Sequence, residues 1–322
     1  MIDVAIGVDV GGTKALALLV ARDGRVLGEA QAPTPHLLSD NVGTPTGDVV
    51  TKLIQDLGEH QGLDPSSLPV CIGLPGMLRR DGRLVYAPNL RSASGADLGA
   101  LVGASLASST VFCENDANCA ALCEHEWGAG RGIDDFVMVT LGTGIGGGVV
   151  VDGNLVRGRS GFAGEIGHMV VDANGAACPC GGRGCWERYA SGGGLGRMAR
   201  AAAEAGRLPT LVQRSSNGDV RAEDVTIAAS EGLDEAVALM NEVGWWLALG
   251  LSNLAAILDT GHFVIGGGLS IAAELVLPSA REHLSSLVEG YGARPAIALT
   301  PSMFGPRSGA MGAALVAFSR LP

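Results

Sequence analysis

Apolar positions along the chain come in short runs set off by glycine-rich turns. Residues 3–10 (DVAIGVDV) and 15–21 (ALALLVA) are apolar over strand length and are separated by Gly-Gly-Thr-Lys. Short apolar runs bounded by turn residues predict buried strands. Residues 25–31, following the Asp23-Gly24 turn, predict a third strand. Val49, Leu53 and Leu57 stand four apart with Val50 and Ile54 beside them, so 48–61 predicts an amphipathic helix. A strand at 69–73 leads into Leu74-Pro75-Gly76, and another at 110–113 leads into Glu114-Asn115-Asp116 and an alanine-rich helix. The theme then restarts, because 136–141 (FVMVTL) and 147–151 (GGVVV) flank Gly-Thr-Gly-Ile-Gly. Residues 8–15 and 140–148 look like one device used twice: strand, Gly/Thr turn, strand. Helices are expected at 192–205 and 234–258, a strand at 261–265 running into Gly266-Gly267-Gly268, and a small-residue helix at 308–319. Such an alternation predicts an α/β protein of two halves facing a cleft. No linker or low-complexity tract interrupts it.

Composition narrows this picture. The chain has 322 residues, enough for one large or two medium domains, and 47% of them are hydrophobic, as in a well-packed globular protein. Its 50 glycines cluster at turns without a collagen-like period, which suits loops where backbone approaches a ligand. The net charge of −11 argues against nucleic acid or an anionic membrane as a broad partner, though not against an anionic substrate held in a local pocket. The first basic residue is Lys14, so a secretory signal is not expected, and no apolar run is long enough to span a bilayer. Of the seven cysteines, Cys71, Cys113, Cys119 and Cys123 are scattered among apolar residues and read as small core residues in a reducing cytoplasm.

Two kinds of chemistry stand out. Asp9-Val10-Gly11-Gly12-Thr13-Lys14 puts a carboxylate at a strand end before a glycine hairpin whose N–H groups can cradle phosphate, with a hydroxyl from Thr13. Asp9 can hold Mg²⁺, directly or through water. Gly142-Thr143-Gly144 supplies a second such turn, and Gly266–Gly268 would let a flat adenine lie against backbone. Two matched loops point to a nucleotide held between two halves; neither is a Walker loop. Residues 178–185 read Cys-Pro-Cys-Gly-Gly-Arg-Gly-Cys, with His168 ten residues upstream. Cys178, Cys180, Cys185 and His168 form a Cys₃His set, which with four protein ligands suits a closed structural zinc. Its expected work is to shape the loop and aim Glu165, Glu187 and the second nitrogen of His168.

From Asp9 to the last helix these motifs, in this order, resemble the ROK family of bacterial sugar kinases and related repressors. The carriers are Asp9–Lys14, Gly73-Leu74-Pro75-Gly76, Glu114-Asn115-Asp116, Thr140–Gly148, Glu165-Ile166-Gly167-His168 and Cys178-Pro179-Cys180-Gly181 through Cys185-Trp186-Glu187. The resemblance implies a two-domain actin-like fold (a ribonuclease H-like repeat) with an interdomain cleft, and a homodimer or homotetramer. It also implies a small N-terminal domain of residues 1–116, with the C-terminal helix of about 305–322 packing back on it, and a large domain of 117–304 carrying the zinc loop. Carried over residue by residue, Asp116 would be the catalytic base. Gly76, Asn89, Asn115, Glu165, His168 and Glu187 would hold the sugar. Asp9, Gly11, Gly12, Thr13, Lys14, Gly142, Thr143, Gly144, Gly266, Gly267 and Gly268 would serve the nucleotide. Trp186-Glu187-Arg188-Tyr189-Ala190-Ser191-Gly192 looks most like the glucokinase branch, but Arg91-Ser92-Ala93-Ser94 follows Asn89-Leu90 where that branch commonly has a tryptophan.

The expected activity is ATP-dependent phosphorylation of D-glucose at its 6-hydroxyl, with Mg²⁺ accompanying ATP, in the cytoplasm. A placed carboxylate at Asp116 typically contributes ~10²–10⁴-fold; the alternative role for Asp116 is to cap the helix that follows. Kinases for N-acetylglucosamine, N-acetylmannosamine, mannose or fructose, and ADP or polyphosphate as donor, remain open readings. A sugar-sensing repressor is the rival from another class; with eight residues before Asp9 and an acidic chain, no nucleic-acid partner is expected.

Overall fold

The computed structural model describes residues 3–35, 42–108, 110–268 and 273–321. The first stretch of chain holds β1 (Val4–Val10), β2 (Lys14–Ala21), β3 (Val26–Pro33), α1 (Thr44–Gln61), β4 (Val70–Leu74), β5 (Met77–Leu78), β6 (Leu84–Tyr86), α2 (Leu98–Leu106), β7 (Val111–Asn115) and α3 (Asp116–Trp127). There follow β8 (Phe136–Leu141), β9 (Ile145–Val151), β10 (Asn154–Leu155), α4 (Glu187–Ala190), α5 (Gly192–Glu204), α6 (Pro209–Arg214), α7 (Ala222–Ser230) and α8 (Asp234–Leu258). The chain ends with β11 (His262–Gly266), α9 (Ala273–Leu287), β12 (Ala298–Pro301) and α10 (Ser308–Ser319).

The short repeat expected from the two Gly/Thr turns belongs to a larger one. The first five-stranded sheet has the order β3-β2-β1-β4-β7 and the second β10-β9-β8-β11-β12, so the same strand order is built twice. In the first, β1–β2 and β2–β3 are antiparallel while β1–β4 and β4–β7 are parallel. In the second, β8–β11 and β11–β12 are parallel. This is an α/β fold of the actin-like type.

The chain divides into two compact units, one of residues 1–134, 147–165 and 302–322, the other of 135–146 and 166–301. In the first unit the strand period of two sorts side chains to both faces of the sheet. Ile6, Val8 and Val10 join Ala15, Ala17 and Leu19 in a core with α1 and α2 residues such as Ile54, Leu57 and Leu98. Ala5, Leu16, Leu18 and Val20 face the other way, into a core with Cys119 and Cys123 of α3 and Met311, Ala314 and Phe318 of α10. A helix apolar all round is a buried helix, and α10 is buried at nearly every position. Its small residues let backbones touch: a Cβ on Gly312 would overlap the Cys119 carbonyl of α3. In the second unit Phe136, Phe263 and Leu247 are fully buried, and α8 packs on α9.

α1 begins at Thr44, earlier than its apolar stripe, because Pro45 sits in the first turn and Gly43 supplies a left-handed residue before it. α2, α6, α7, α9, β12 and the β5–β6 ribbon had no clear periodic signal. Among the described residues no helix is long and apolar enough to cross a membrane.

Candidate active site

The parallel strands of each sheet bring the singled-out residues to one edge. In the first unit Asp9 pairs with Gly73, Gly73 with Glu114 and Leu74 with Asn115, so the carboxyl ends of β1, β4 and β7 lie side by side. Ligands in open α/β sheets sit outside such carboxyl ends. Here Asp9 is half-buried beside Gly309 of α10, while Thr13 and Lys14 are exposed at the hairpin that follows. Asn89 lies against Gly12, and Gly76, with φ 99°, accepts from Asn115 Nδ2 at 3.2 Å. Asn115 caps α3: its Oδ1 accepts from Asn118 N at 3.0 Å. The capping role considered for Asp116 therefore belongs to its neighbour. Asp116 Oδ1 accepts from Ala117 N at 2.8 Å. Burial and the Asp116 carboxylate push Asp9 up to about 7, with Lys14 pulling it down; burial raises Asp116 as well. Two carboxylates that repel each other at a strand edge are a place where a divalent cation or a proton gains most. Glu165 ends the 147–165 stretch of this unit.

The second unit repeats the arrangement with different equipment. Gly266 pairs with Thr140, so Gly266–Gly268 and Gly142–Gly144 leave neighbouring parallel strands at the same edge. Gly267, with φ 86°, lies against the Leu141 backbone, where a Cβ would stand 2.6 Å from its N and O.

The donors of the Cys₃His set converge. A ring nitrogen of His168 and the Sγ atoms of Cys178, Cys180 and Cys185 all lie within 4.8 Å of one another. Cys180 Sγ is 3.7 Å from Cys185 Sγ, and Cys178 Sγ is 3.9 Å from His168 Nδ1. Ligands around one tetrahedral zinc stand about 3.5–3.8 Å apart, given Zn–S ≈ 2.3 Å and Zn–N ≈ 2.0–2.1 Å. The set fits one such ion with Nδ1 as ligand, which leaves Nε2 as the directed N–H. Backbone bonds shape the loop: Cys178 N to Gly182 O at 2.9 Å and Gly184 N to Ala176 O at 2.8 Å. Glu187 sits beside the set, its Oε1 3.1 Å from Cys178 Sγ and 3.8 Å from His168 Nδ1.

Comparison with known proteins decides the family. The model of the ROK family matches residues 5–320. The chain belongs to the ROK family. It is 34% identical over 317 residues to a glucokinase of Streptomyces coelicolor, covering 96% of each chain. It is 30% identical over 317 residues to an N-acetylmannosamine kinase of Escherichia coli O157:H7, covering 97% of each. Among solved structures it resembles a ROK family glucokinase from Streptomyces griseus in complex with glucose and AMPPNP, with a TM-score of 0.87, 34% identity, and coverage of 98% of this chain and 99% of that one.

Several residues of this ROK chain support the site without having been singled out. Thr34, buried at the end of β3, donates from Oγ1 to Gly11 O at 2.8 Å and from N to Thr13 O at 3.0 Å. Glu114 is buried and accepts from Arg157 Nε at 2.7 Å, Asn118 Nδ2 at 3.1 Å and Asn115 N at 3.0 Å, which fixes the turn into Asp116. Glu124 accepts from Ser302 Oγ at 2.5 Å, Met303 N at 3.0 Å and Phe304 N at 3.1 Å, tying α3 to the approach to α10. Trp186 is fully buried with its indole against α8 at Gly250, and its Nε1 donates to Trp246 O at 2.7 Å. The signals were faint: Glu114 and Trp186 lie inside quoted motifs, whereas nothing local marks Thr34 or Arg157.

Proposed function

We propose that this chain transfers the γ-phosphoryl group of ATP to the 6-hydroxyl of a hexose, with D-glucose as its best substrate. One observation carries the reading: Asp116 stands at the carboxyl end of β7, electrostatically coupled to Asp9, with helix capping handed to Asn115. That leaves a half-buried carboxylate, raised by burial, to accept the proton of an attacking hydroxyl. In this reading Asp9 holds Mg²⁺, directly or through water, and Mg²⁺ neutralises phosphate charge. The Gly11–Lys14 and Gly142–Gly144 turns bind the phosphates, and Gly266–Gly268 flanks the adenine. Gly76, Asn89, Glu165, His168 and Glu187 hold the sugar hydroxyls. Asn115 keeps one amide N–H for them, the other being bonded to Gly76. His168, Cys178, Cys180 and Cys185 hold a structural zinc that orients His168 Nε2. The domain division at 116/117, a homodimeric or homotetrameric state and a cytoplasmic location belong to the same reading.

The similarity to both glucokinases and N-acetylmannosamine kinases supports a hexose kinase more broadly than it supports glucose. Arg91, exposed just after Asn89 and Leu90, favours keeping a second reading, a kinase for another hexose such as an N-acetylated one. A coupled ADP-release assay across hexoses and phosphoryl donors tests both. Glucose is expected to lead, with N-acetylglucosamine at least about 10-fold lower in kcat/KM, about 1.4 kcal/mol. Equal use of the amino sugar moves the chain to the second reading.

A further inference from the structure

The second phosphate turn is mounted on the residues just past Glu187. α5 opens with Gly192-Gly193-Gly194 behind Ser191. Its first N–H groups are taken: Gly192 N donates to Gly142 O at 2.9 Å and Gly193 N to Thr143 O at 3.1 Å. Ser191, 1% exposed, accepts from Gly194 N at 3.0 Å. Its Oγ lies 3.0 Å from Thr143 O and 2.5 Å from Glu187 O, so a single hydroxyl hydrogen serves both carbonyls. A Cβ on Gly193 would stand 2.5 Å from Thr143 O, so the carbonyl occupies room that only glycine leaves.

This mount has a directional consequence. A trans peptide holds its C=O and the following N–H antiparallel. With the Gly142 and Thr143 carbonyls aimed at the start of α5, the N–H groups of Thr143 and Gly144 point to the opposite side. The Thr143 side chain is exposed. Two fixed N–H groups and a hydroxyl are what phosphate oxygens take.

The same residues reach the sugar side. α4, four residues long, connects Glu187 to Ser191, and Trp186 anchors its other end in α8. A shift of the Glu187 backbone is therefore passed within one helical turn to the hydroxyl that holds Thr143.

We infer that Ser191-Gly192-Gly193 aims the Thr143 and Gly144 N–H groups at the nucleotide phosphates, and that Ser191 couples this turn to Glu187, so that sugar binding tightens nucleotide binding. The inference rests on the proposed hexose-kinase reading. Ser191 and the glycines are positioning residues, and binding linkage of this kind is reciprocal.

The test is calorimetric titration of wild type, Ser191→Ala and Gly193→Ala with AMPPNP and Mg²⁺, with and without saturating glucose, beside glucose titrations alone. Glucose should tighten AMPPNP binding about 5-fold or more in the wild type and less than about 2-fold in Ser191→Ala. AMPPNP binding without glucose should weaken about 10-fold in both variants, while glucose alone binds within about 3-fold of wild type. Folded variants with wild-type AMPPNP affinity and wild-type coupling overturn the inference. Should neither variant fold, hydrogen exchange on the wild type decides: glucose alone should slow exchange in the peptide spanning residues 141–145, and unchanged exchange overturns the coupling. A wild type that phosphorylates glucose normally while these tests fail loses only this inference. One that phosphorylates no hexose loses the proposed function and with it this inference.

Discussion

The two Gly/Thr turns occupy the same place in two sheets of the same strand order, yet they are braced by different means. Gly11-Gly12-Thr13 is held from within its sheet, by Thr34 at the end of β3. Around it the sheet is packed on both faces, by α1 and α2 on one side and by α3 and α10 on the other. Gly142-Thr143-Gly144 is held from outside its sheet, by the start of α5, a few residues past a loop with three cysteines. The repeat thus reproduces strands and turns, not the surroundings that give them a task. The first unit carries the two interacting carboxylates; the second carries the loop whose three cysteines converge with His168. The consequences differ: chemistry should fail when the first region is altered, and binding geometry when the second is.

The largest effect should come from Asp116→Asn. It keeps shape and the bond to Ala117 N but removes basicity, so turnover should fall by about 10²–10⁴-fold with glucose binding within a few-fold of wild type. Steady-state kinetics and calorimetry on the purified variant measure the two; near-normal turnover would return Asp116 to a structural role. Next comes Cys180→Ser in the other region. The first unit has its own cores and the zinc loop contributes little to any of them, so far-UV circular dichroism should stay native while bound zinc falls well below one per chain. The glucose KM should rise by up to about 10²-fold, since displacement on the ångström scale costs that much. Trp186 stays anchored in α8, so His168 should move more than Glu187, and the change for ATP should be the smaller. Elemental analysis that finds no zinc in the wild type, or a zinc-free variant with normal glucose KM, would merge the two regions into one kind.

A third prediction concerns the cost of the carboxylate pair. Asp9 has a folded pKa of about 7, above its ordinary 3.8. A raised acid stabilises the fold at low pH; that stabilisation is complete below about pH 4 and is lost as pH rises through about 7. Asp9→Asn removes the charged form, so without Mg²⁺ or nucleotide the variant should gain on the wild type across that window, at most ~1.4 kcal/mol per pH unit and a few kcal/mol in all. Denaturant melts at pH 4, 6 and 8 show it. A variant less stable than wild type at pH 8 would mean that ionised Asp9 is held by favourable contacts rather than tolerated.

How much of this could be read from residues alone follows the same division. The strands 136–141 and the helices 234–258 and 308–319 were legible to the residue, because each is an apolar run cut off by glycine, aspartate or serine. The Cys₃His set was legible because three thiols on one short loop cannot avoid one another. The edges of the sheets collected Asp9, Asn115 and Asp116, and likewise Gly142–Gly144 and Gly266–Gly268, where strand ends predicted them. The braces were not legible. Thr34 lies 23 residues from Gly11, Arg157 43 from Glu114 and Ser191 48 from Thr143, and in each case the bond exists only once the sheet has formed. The capping alternative weighed for Asp116 stayed open in the sequence for a local reason: Asn115 and Asp116 are both good caps, and which one serves depends on where α3 begins, a matter of one residue.

The smallest effect should come from Thr34→Val, and it is the counterpart of Ser191→Ala in the other unit. Valine has the volume of threonine but no hydroxyl, so it removes one bond to Gly11 O and leaves the Thr34 N–H bond to Thr13 O in place. A net hydrogen bond contributes about 0.5–1.5 kcal/mol, which predicts a rise in ATP KM of about 2- to 10-fold. The lower part of that range is the expectation, because Gly11 N still donates to Lys14 O at 2.9 Å and closes the hairpin by itself. Glucose binding should change less than ATP binding, since the two bonds of the first brace run to Gly11 O and Thr13 O and touch the sugar residues only through Asn89, which lies against Gly12. Ser191→Ala, by contrast, should change both nucleotide affinity and its dependence on glucose. Measured side by side by AMPPNP titration with and without glucose, the two variants separate a turn that is merely supported from one that is coupled. If Thr34→Val also abolished the effect of glucose on AMPPNP binding, the coupling would be a property of both turns, and the asymmetry between the units would not hold.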